Sequence, residues 1–551
     1  MLAWKTSHLF DEPIVSRTIL LVGFLVGISC FTFYYAQQLT VAHYDAKAHL
    51  VVSRRIVDSL EPGYSQIGVS WLPLLHLIYL PFVVFDFQYR SGLIPSLISV
   101  SAFALSGWLA YRISYRITGS VAAGIYAAVV LLANPNLQYL QSCPLTEPFF
   151  MALLLLGMDR LIWWRESDHS SLPLSAAIWT SLAGLCRYEG WYFFAGVLLL
   201  LVHDFRTRYV PRRKALLAGI VYSTFFLIPA ALHFGYISFR LGDNFFHRIM
   251  GGNADPYVTH KRIFLSVIYH LGELSQMAAI LPLLLAATGL LIFLVQHRKW
   301  RHGIPLLLLW VPSLINISAL YWGLIYRLRY SALLLPAVAI FGSIVIASSK
   351  GVRKRAFLLM SVSAMIMPFV SWCFRDSGGG NAFAPGPGIL LLPAGALVLF
   401  LIAGAKKWYE WTLLSLCVLG MHIPALNKEH RPIMAETFEH NFIEQERHEV
   451  IQYIRSFYDG GRILIDMGRL APLIYDSGLP VREFVYNEGL GIMWRKAVRK
   501  PESIVGWLCM QEGDALAQRL KSDPGWLDKY SLEVKTKHFS LYRLKTINRI
   551  S

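Results

Sequence analysis

The residues able to do chemistry gather in a few short strings. "YDAKAHLVVSRR" (44–55) holds Asp45, Lys47, His49, Arg54 and Arg55, and "CPLTEP" (143–148) holds Glu147. "CRYEGW" (186–191) holds Arg187 and Glu189, "GDNFFHR" (242–248) holds Asp243, His247 and Arg248, and "YRLRY" (326–330) holds Arg327, Arg329 and Tyr330. If 44–60 is a helix, Asp45 and His49 share a face, with Ser53 one turn further on. Leu50, Val51, Ile56 and Val57 then supply an apolar side suited to a membrane surface. A carboxylate placed there can take a proton from a hydroxyl arriving from the water side, provided it comes within hydrogen-bond reach. The plainer reading makes Asp45 a helix-start residue that caps the helix or offsets Lys47, and spacing alone leaves both open.

What positions these strings is a membrane-embedded frame. The 551 residues are 55% hydrophobic, with a mean hydropathy of +0.47 and only 15% charged side chains, against roughly 25% in soluble domains. Repeated apolar runs of membrane-crossing length predict a polytopic α-helical membrane protein. The net charge of +17 then reflects Lys and Arg collected in cytoplasmic loops rather than a nucleic-acid partner. Six cysteines without CxxC spacing imply neither a disulfide framework nor a metal ribbon. The first apolar run reads as a retained span.

Spans are expected at 18–36, 93–111, 121–139, 149–164, 174–187, 190–205, 215–237, 277–296, 304–322, 331–348, 356–374, 388–404 and 409–421. The run "WLPLLHLIYLPFVVF" (71–85) is short and carries Pro73 and Pro81. If it does not cross, the basic clusters at Arg112/Arg116, 206–214, 297–302, 350–355 and Lys406/Lys407 all lie on the side of Lys5 and Arg17. The economical topology therefore has about thirteen spans within a transmembrane domain of residues 1–421. The N-terminus is cytoplasmic, and residues 37–92 form one external loop with interfacial and re-entrant parts. Residues 422–551 alternate helical and strand patterns, "QERHEVIQYIRSFY", "RILIDMG", "SIVGWLCM", "GDALAQRLKSD" and "FSLYRL", predicting an extracytoplasmic α/β domain. "YDGGR" reads as a turn before a strand.

On this topology acids and bases from five outer loops meet at one membrane face. Charge at membrane depth is costly, which suggests a shared polar cavity; separate snorkelling to headgroups is the bland alternative. Arg327 and Arg329, at i and i+2, cannot share a helical face, so at most one points inward unless the backbone is extended. Arg187 faces either the cavity or Glu189. His76 lies near the cavity mouth or is buried without a role.

An acid just after span one, the proline-broken "WLPLLH" (71–76), "LTEP", "RYEGW", "YRLRY" and the external α/β tail together resemble the GT-C superfamily. The similarity is to its branch of protein O-mannosyltransferases and the aminoarabinose transferase of lipid A. The resemblance implies an inverting transfer of one monosaccharide, hexosyl or pentosyl, from a polyprenyl-phosphate donor such as undecaprenyl phosphate to a hydroxyl. The acceptor would be a lipid, glycan or protein at the outer face of a bacterial plasma (inner) membrane. It implies Asp45 as general base, Glu147 as a second catalytic acid, and Arg327, Arg329, Tyr330 and Arg187 around the donor phosphate. Lys47, His49, His76 and Glu189 would line the supporting cavity. Two acids facing one cavity leave room for a divalent metal, but the first loop has no DxD pair and that branch is not thought to need one, so no cofactor is expected. The chain has DA where the family often has DE and WLPL for HPPL or KPPL, and the sugar and acceptor stay open. The competing classes are a transporter or flippase of a lipid-linked sugar, a non-catalytic assembly subunit, and a ligase using a diphosphate donor.

Overall fold

The structure, a computed structural model, describes residues 12–348 except 69, 168–170, 242–257, 297–299 and 325, together with 417, 433, 437 and 441–545. The expected spans at 356–374 and 388–404, most of 409–421, the "GDNFFHR" string and the domain boundary at 421/422 lie outside the described residues.

Helix α1 (Glu12–Ala36) has 25 residues, about 37 Å at 1.5 Å per residue, enough for a hydrocarbon core of about 30 Å. The first loop then folds into α2 (Tyr44–Arg55), α3 (Pro73–Val83) and α4 (Asp86–Ser91). α2 is shorter than the expected 44–60, because the chain leaves the helix after Ile56 and turns at Gly63, whose φ of 148° suits glycine. α3 starts with Pro73 and spans 11 residues, about 16 Å, so it is too short to cross. Arg54 holds its end, with Nη1 donating to the carbonyls of Val83 and Val84 at 2.7 Å each.

The helices that follow are α5 (Leu93–Thr118), α6 (Val121–Leu132), α7 (Pro135–Leu140), α8 (Thr146–Glu166), α9 (Leu174–Cys186), α10 (Glu189–Thr207) and α11 (Arg212–Leu241). The expected span 121–139 is broken, since Asn134 accepts from the Asn136 and Leu137 amides and starts a new helix at Pro135. The expected span 277–296 is one arm of a pair, α12 (Ile263–Ala278) and α13 (Ile280–Val295), bent by 115°. The bend sits at Ala279, with φ at 61°. Asn134 and Asn136 both donate to the Met277 carbonyl, at 2.8 and 3.3 Å, so one polar break holds the other. A 3₁₀ segment (Arg301–Trp310) leads into α14 (Val311–Trp322), and another (Leu328–Leu334) into α15 (Leu335–Ala347). Among the described residues five helices are long and apolar enough to cross a membrane, or six if the bent pair is one span.

The run 328–347 is 89% buried and 12–36 only 22%, which puts α15 at the centre and α1 at the exposed rim of the described residues. α13 packs tightest on α15: a Cβ added at Gly289 would lie 1.8 Å from the Phe341 carbonyl oxygen. Gly289→Ala should therefore destabilise the protein by about 3 kcal/mol, read as a lowered thermal midpoint in detergent. A midpoint unchanged within a degree would mean the two helices do not approach this closely.

The tail is an α/β unit: α16 (Asn441–Phe457), β1 (Ile463–Ile465), α17 (Met467–Ser477), β2 (Phe484–Tyr486), α18 (Gly491–Arg499), β3 (Trp507–Gln511), α19 (Ala515–Ser522), β4 (Tyr530–Lys535) and β5 (Phe539–Leu544). The sheet order is β2-β1-β3-β5-β4, with β1 parallel to β2 and β3, and β5 antiparallel to β3 and β4. β1 and β2 are buried along their whole length, as strands covered on both faces must be. The tail and the first loop share one apolar core: Leu50, Val51, Leu75 and Tyr79 pack with Ile451, Ile463, Leu473 and Phe484. Polar ties reinforce it, since Tyr44 donates to the Gly468 carbonyl at 3.0 Å and buried Arg55 pairs with Glu488 at 3.3 Å. Gly68 (φ 76°) lets the chain pass there, because a Cβ would meet Arg55 Nη2 at 2.9 Å.

Candidate active site

The start of α2 aims the first acid. His43 caps the helix through its side chain, Nδ1 accepting the Asp45 amide at 3.0 Å. The Asp45 carboxylate turns outward to Arg329, whose Nη2 donates to Oδ2. Arg329 is 4% exposed. Its Nε donates to Glu147 Oε1 at 2.8 Å, and its Nη1 lies 2.9 Å from His43 Nε2. Glu147, in the first turn of α8, takes a second guanidinium on the same oxygen: Arg187 Nη1 donates to Oε1 at 2.9 Å. The same Nη1 also reaches Thr146 Oγ1 at 2.6 Å.

Arg187 sits where α9 ends in extended backbone (φ −145°, ψ 151°) before α10 begins, so its side chain is free to reach sideways. Its other edge forks onto Glu189, Nε to Oε2 at 3.1 Å and Nη2 to Oε1 at 2.6 Å. Both alternatives left open for Arg187 are thus occupied at once. The result is a continuous chain, Asp45–Arg329–Glu147–Arg187–Glu189, alternating in charge. Tyr330 lies beneath both cations, its ring 5.0 Å from the Arg187 guanidinium and 5.4 Å from that of Arg329. Arginine suits such a chain because its planar fork can bind two carboxylate or phosphate oxygens at once.

Arg327 and Arg329 separate, because the chain turns from extended backbone into a 3₁₀ segment between them. Arg327 is extended (φ −136°, ψ 140°) and exposed, while Arg329 enters the 3₁₀ turn and is buried. Only Arg329 joins the cluster. Lys47 departs from the supporting-cavity expectation: it pairs with Asp476 of the tail at 2.7 Å. On α2 it stands two residues from Asp45 and so faces another way.

Burial alone would push the Asp45 carboxyl up. The Arg329 guanidinium, helped by His43 and His49, more than offsets this and holds it well below the usual carboxylate range. Asp45 is therefore ionised, as a base must be, and is weakened while Arg329 holds it. His49 is pulled down to about 4 by burial, against the opposing pull of Asp45 and Glu147. Its Nδ1 lies 3.0 Å from His76 Nε2, and His76 Nδ1 lies 2.9 Å from the Leu72 carbonyl. A carbonyl only accepts, so His76 carries its proton on Nδ1, its Nε2 accepts, and His49 donates from Nδ1. Trp71 covers the pair, its ring 4.6 Å from that of His49.

A histidine whose folded pKa is depressed costs stability as pH falls through its unfolded value. Between pH 6.5 and 4 the unfolded chain binds the proton and the folded chain does not. His49 should thus contribute about 3 kcal/mol above pH 6.5 that is lost progressively toward pH 4. Thermal midpoints of wild type and His49→Gln at pH 7.5 and 5.0 test this. The wild type should lose more on acidification, and equal losses would reject the assignment.

Among the described residues no group of three or more His, Cys, Asp or Glu side chains could hold a metal ion. Asp45 and Glu147 share a guanidinium where a cation had been considered. Sequence reasoning passed over His43, since helix caps are usually Ser, Thr, Asp or Asn. It also passed over Thr146, whose only signal was its place beside Glu147, and over Trp71.

No protein-family model matches the chain, and no curated protein matches it in sequence. In fold it is similar to ArnT from Cupriavidus metallidurans. The structure of ArnT bound to undecaprenyl phosphate matches with a TM-score of 0.56 at 14% identity, over 94% of this chain and 97% of that one. ArnT in the apo state matches with a TM-score of 0.57 at 13% identity over the same shares. The Archaeoglobus fulgidus oligosaccharyltransferase matches 90% of this chain and 69% of its own at 10% identity, but its TM-score of 0.45 is too low to argue from. The chain therefore shares the fold of ArnT along nearly its whole length.

Proposed function

We propose that this chain, built on the fold it shares with ArnT, is an inverting glycosyltransferase of the membrane. It moves one hexosyl or pentosyl unit from a polyprenyl phosphate to a hydroxyl of a lipid, glycan or protein at the outer face. Asp45 accepts the proton of the attacking hydroxyl. The oxygen bonds to the anomeric carbon as the carbon–oxygen bond to phosphate breaks on the opposite side. The leaving polyprenyl phosphate takes the electron pair, and Arg329 and Arg187 offset its growing charge. Glu147 keeps the two guanidinium groups together, and the neutral His49–His76 pair packs beneath Asp45.

The observation that carries this reading is that a single guanidinium, Arg329, contacts both the candidate base and the carboxylate that holds the second arginine. A donor phosphate competing for Arg329 releases Asp45 and returns its basicity, so the base is armed only when donor is in place. The neighbour solved with undecaprenyl phosphate supports the donor class.

The test is to incubate the purified chain with undecaprenyl-phosphate-linked sugars and a mixed acceptor extract, then follow free undecaprenyl phosphate and the anomeric configuration of the product. Release with inverted configuration is expected. Retained configuration would remove direct displacement. Movement of intact donor across a vesicle without its consumption would make the protein a carrier.

A further inference from the structure

The tail contains a second opening unconnected with the reaction above. A cleft of about 620 Å³ is lined by Arg462, Lys496, Arg499 and Lys500, by the single acid Glu61, and by apolar residues including Ile492. Among the described residues none of those four cations makes an ion pair. Four cations line the hollow against the single acid Glu61, so its net charge is positive and the arrangement favours an anion.

The cleft is also amphipathic. Ile492, Lys496 and Arg499 stand at i, i+4 and i+7 of α18 and so share a face. Ala497, Trp494 and Val498 turn to the sheet and its core, yet Ile492 stays 61% exposed beside the cations.

The rim of the cleft is tied to a membrane-spanning helix. Gln66 Nε2 donates to the carbonyls of Glu61 at 2.8 Å and Gly489 at 3.1 Å, joining the first loop to the tail. Two residues back, the Tyr64 hydroxyl lies 2.7 Å from His233 Nδ1 of α11, and its ring 5.5 Å from that of Tyr236. The rim of the cleft is thus linked through the first loop to the C-terminal half of α11.

We infer that this cleft binds the phosphate-bearing, anionic headgroup of a membrane lipid, with Ile492 against the first carbons below it. Arginine forks suit the phosphate oxygens, and lysines add charge without fixed geometry.

The test uses the full chain in neutral detergent, titrated with dioctanoyl phosphatidic acid, dioctanoyl phosphatidylcholine and inorganic phosphate, with bound mass read by native mass spectrometry. Saturable binding of the phosphatidic acid, at least tenfold tighter than either other probe, is expected. The triple variant Lys496→Gln/Arg499→Gln/Lys500→Gln should weaken it tenfold or more. The charge-matched control Lys521→Gln/Lys535→Gln/Lys537→Gln should change it less than twofold. Ile492→Ser should weaken it while leaving all cations in place. Equal loss in the two triples would reduce the effect to diffuse charge, and inorganic phosphate binding as tightly would make the cleft a free-anion site; either overturns the inference. Binding that survives the cleft triple but falls in Arg329→Lys would assign the lipid to the donor site, overturning this inference without touching the proposed transferase reaction.

Discussion

Asp45→Asn is expected to lower glycosyl transfer by about 10²–10⁴-fold, the usual contribution of a general base, with the fold intact. The amide is nearly isosteric, and the backbone bond from Asp45 to His43 does not involve the side chain. Arg329 keeps Glu147 at 2.8 Å, so the substitution does not strand a buried cation. Losing one charge-assisted hydrogen bond should cost about 1.5–3 kcal/mol of stability at most. The loss should fall on kcat, with the donor KM unchanged or lower, because the arginine no longer has Asp45 as a competitor for phosphate. A variant within tenfold of wild type would remove Asp45 as the base.

The second large effect is expected at Arg329. Arg329→Ala leaves Asp45 and nearly fully buried Glu147 without their shared cation, and breaking a buried ion pair in this way costs about 3–5 kcal/mol. Activity should be lost with stability, so Arg329→Lys is the informative variant. Its ammonium restores a charge, but it lacks the fork that reaches Glu147 and Asp45 together. Transfer should then fall by about 10²–10³-fold, the scale of removing one donor that stabilises developing negative charge. Arg327→Ala, two residues away and exposed, should change kcat/KM less than twofold. If the two positions proved equally sensitive, the anion-holding role of Arg329 would be wrong.

Much of this arrangement can be read from the sequence for simple physical reasons. Asp45 is a charge soon after a membrane-length apolar run, and the i, i+2 spacing of "YRLRY" says that its two arginines part if the segment is helical. The α16, β1, β3, α19 and β5 segments each carry a strong period of 3.6 or an apolar run, and all five form where expected. β2 and β4 were not legible: "FVY" is too short to display a period, and β4 alternates weakly, as an edge strand does. The break at Asn134 and the 115° bend at Ala279 were hidden because apolar composition is continuous across both. Only the side chains of one reveal why the other persists. Lys47 was misplaced because a charge near the candidate base was assumed to face the same way, and its partner lies more than 400 residues further along the chain. Long-range polar pairing leaves no local trace in sequence.

The apolar core shared by the first loop and the tail sets the order in which the protein can mature. Leu50 and Val51 leave the ribosome about 400 residues before Ile451 and Ile463, which at ~5–20 residues per second is ~20–80 s. During that interval the inner face of α2 lacks the tail's share of its cover, leaving only Leu75, Tyr79 and their first-loop neighbours against it. The tail then acts as a late-arriving lock on an early element.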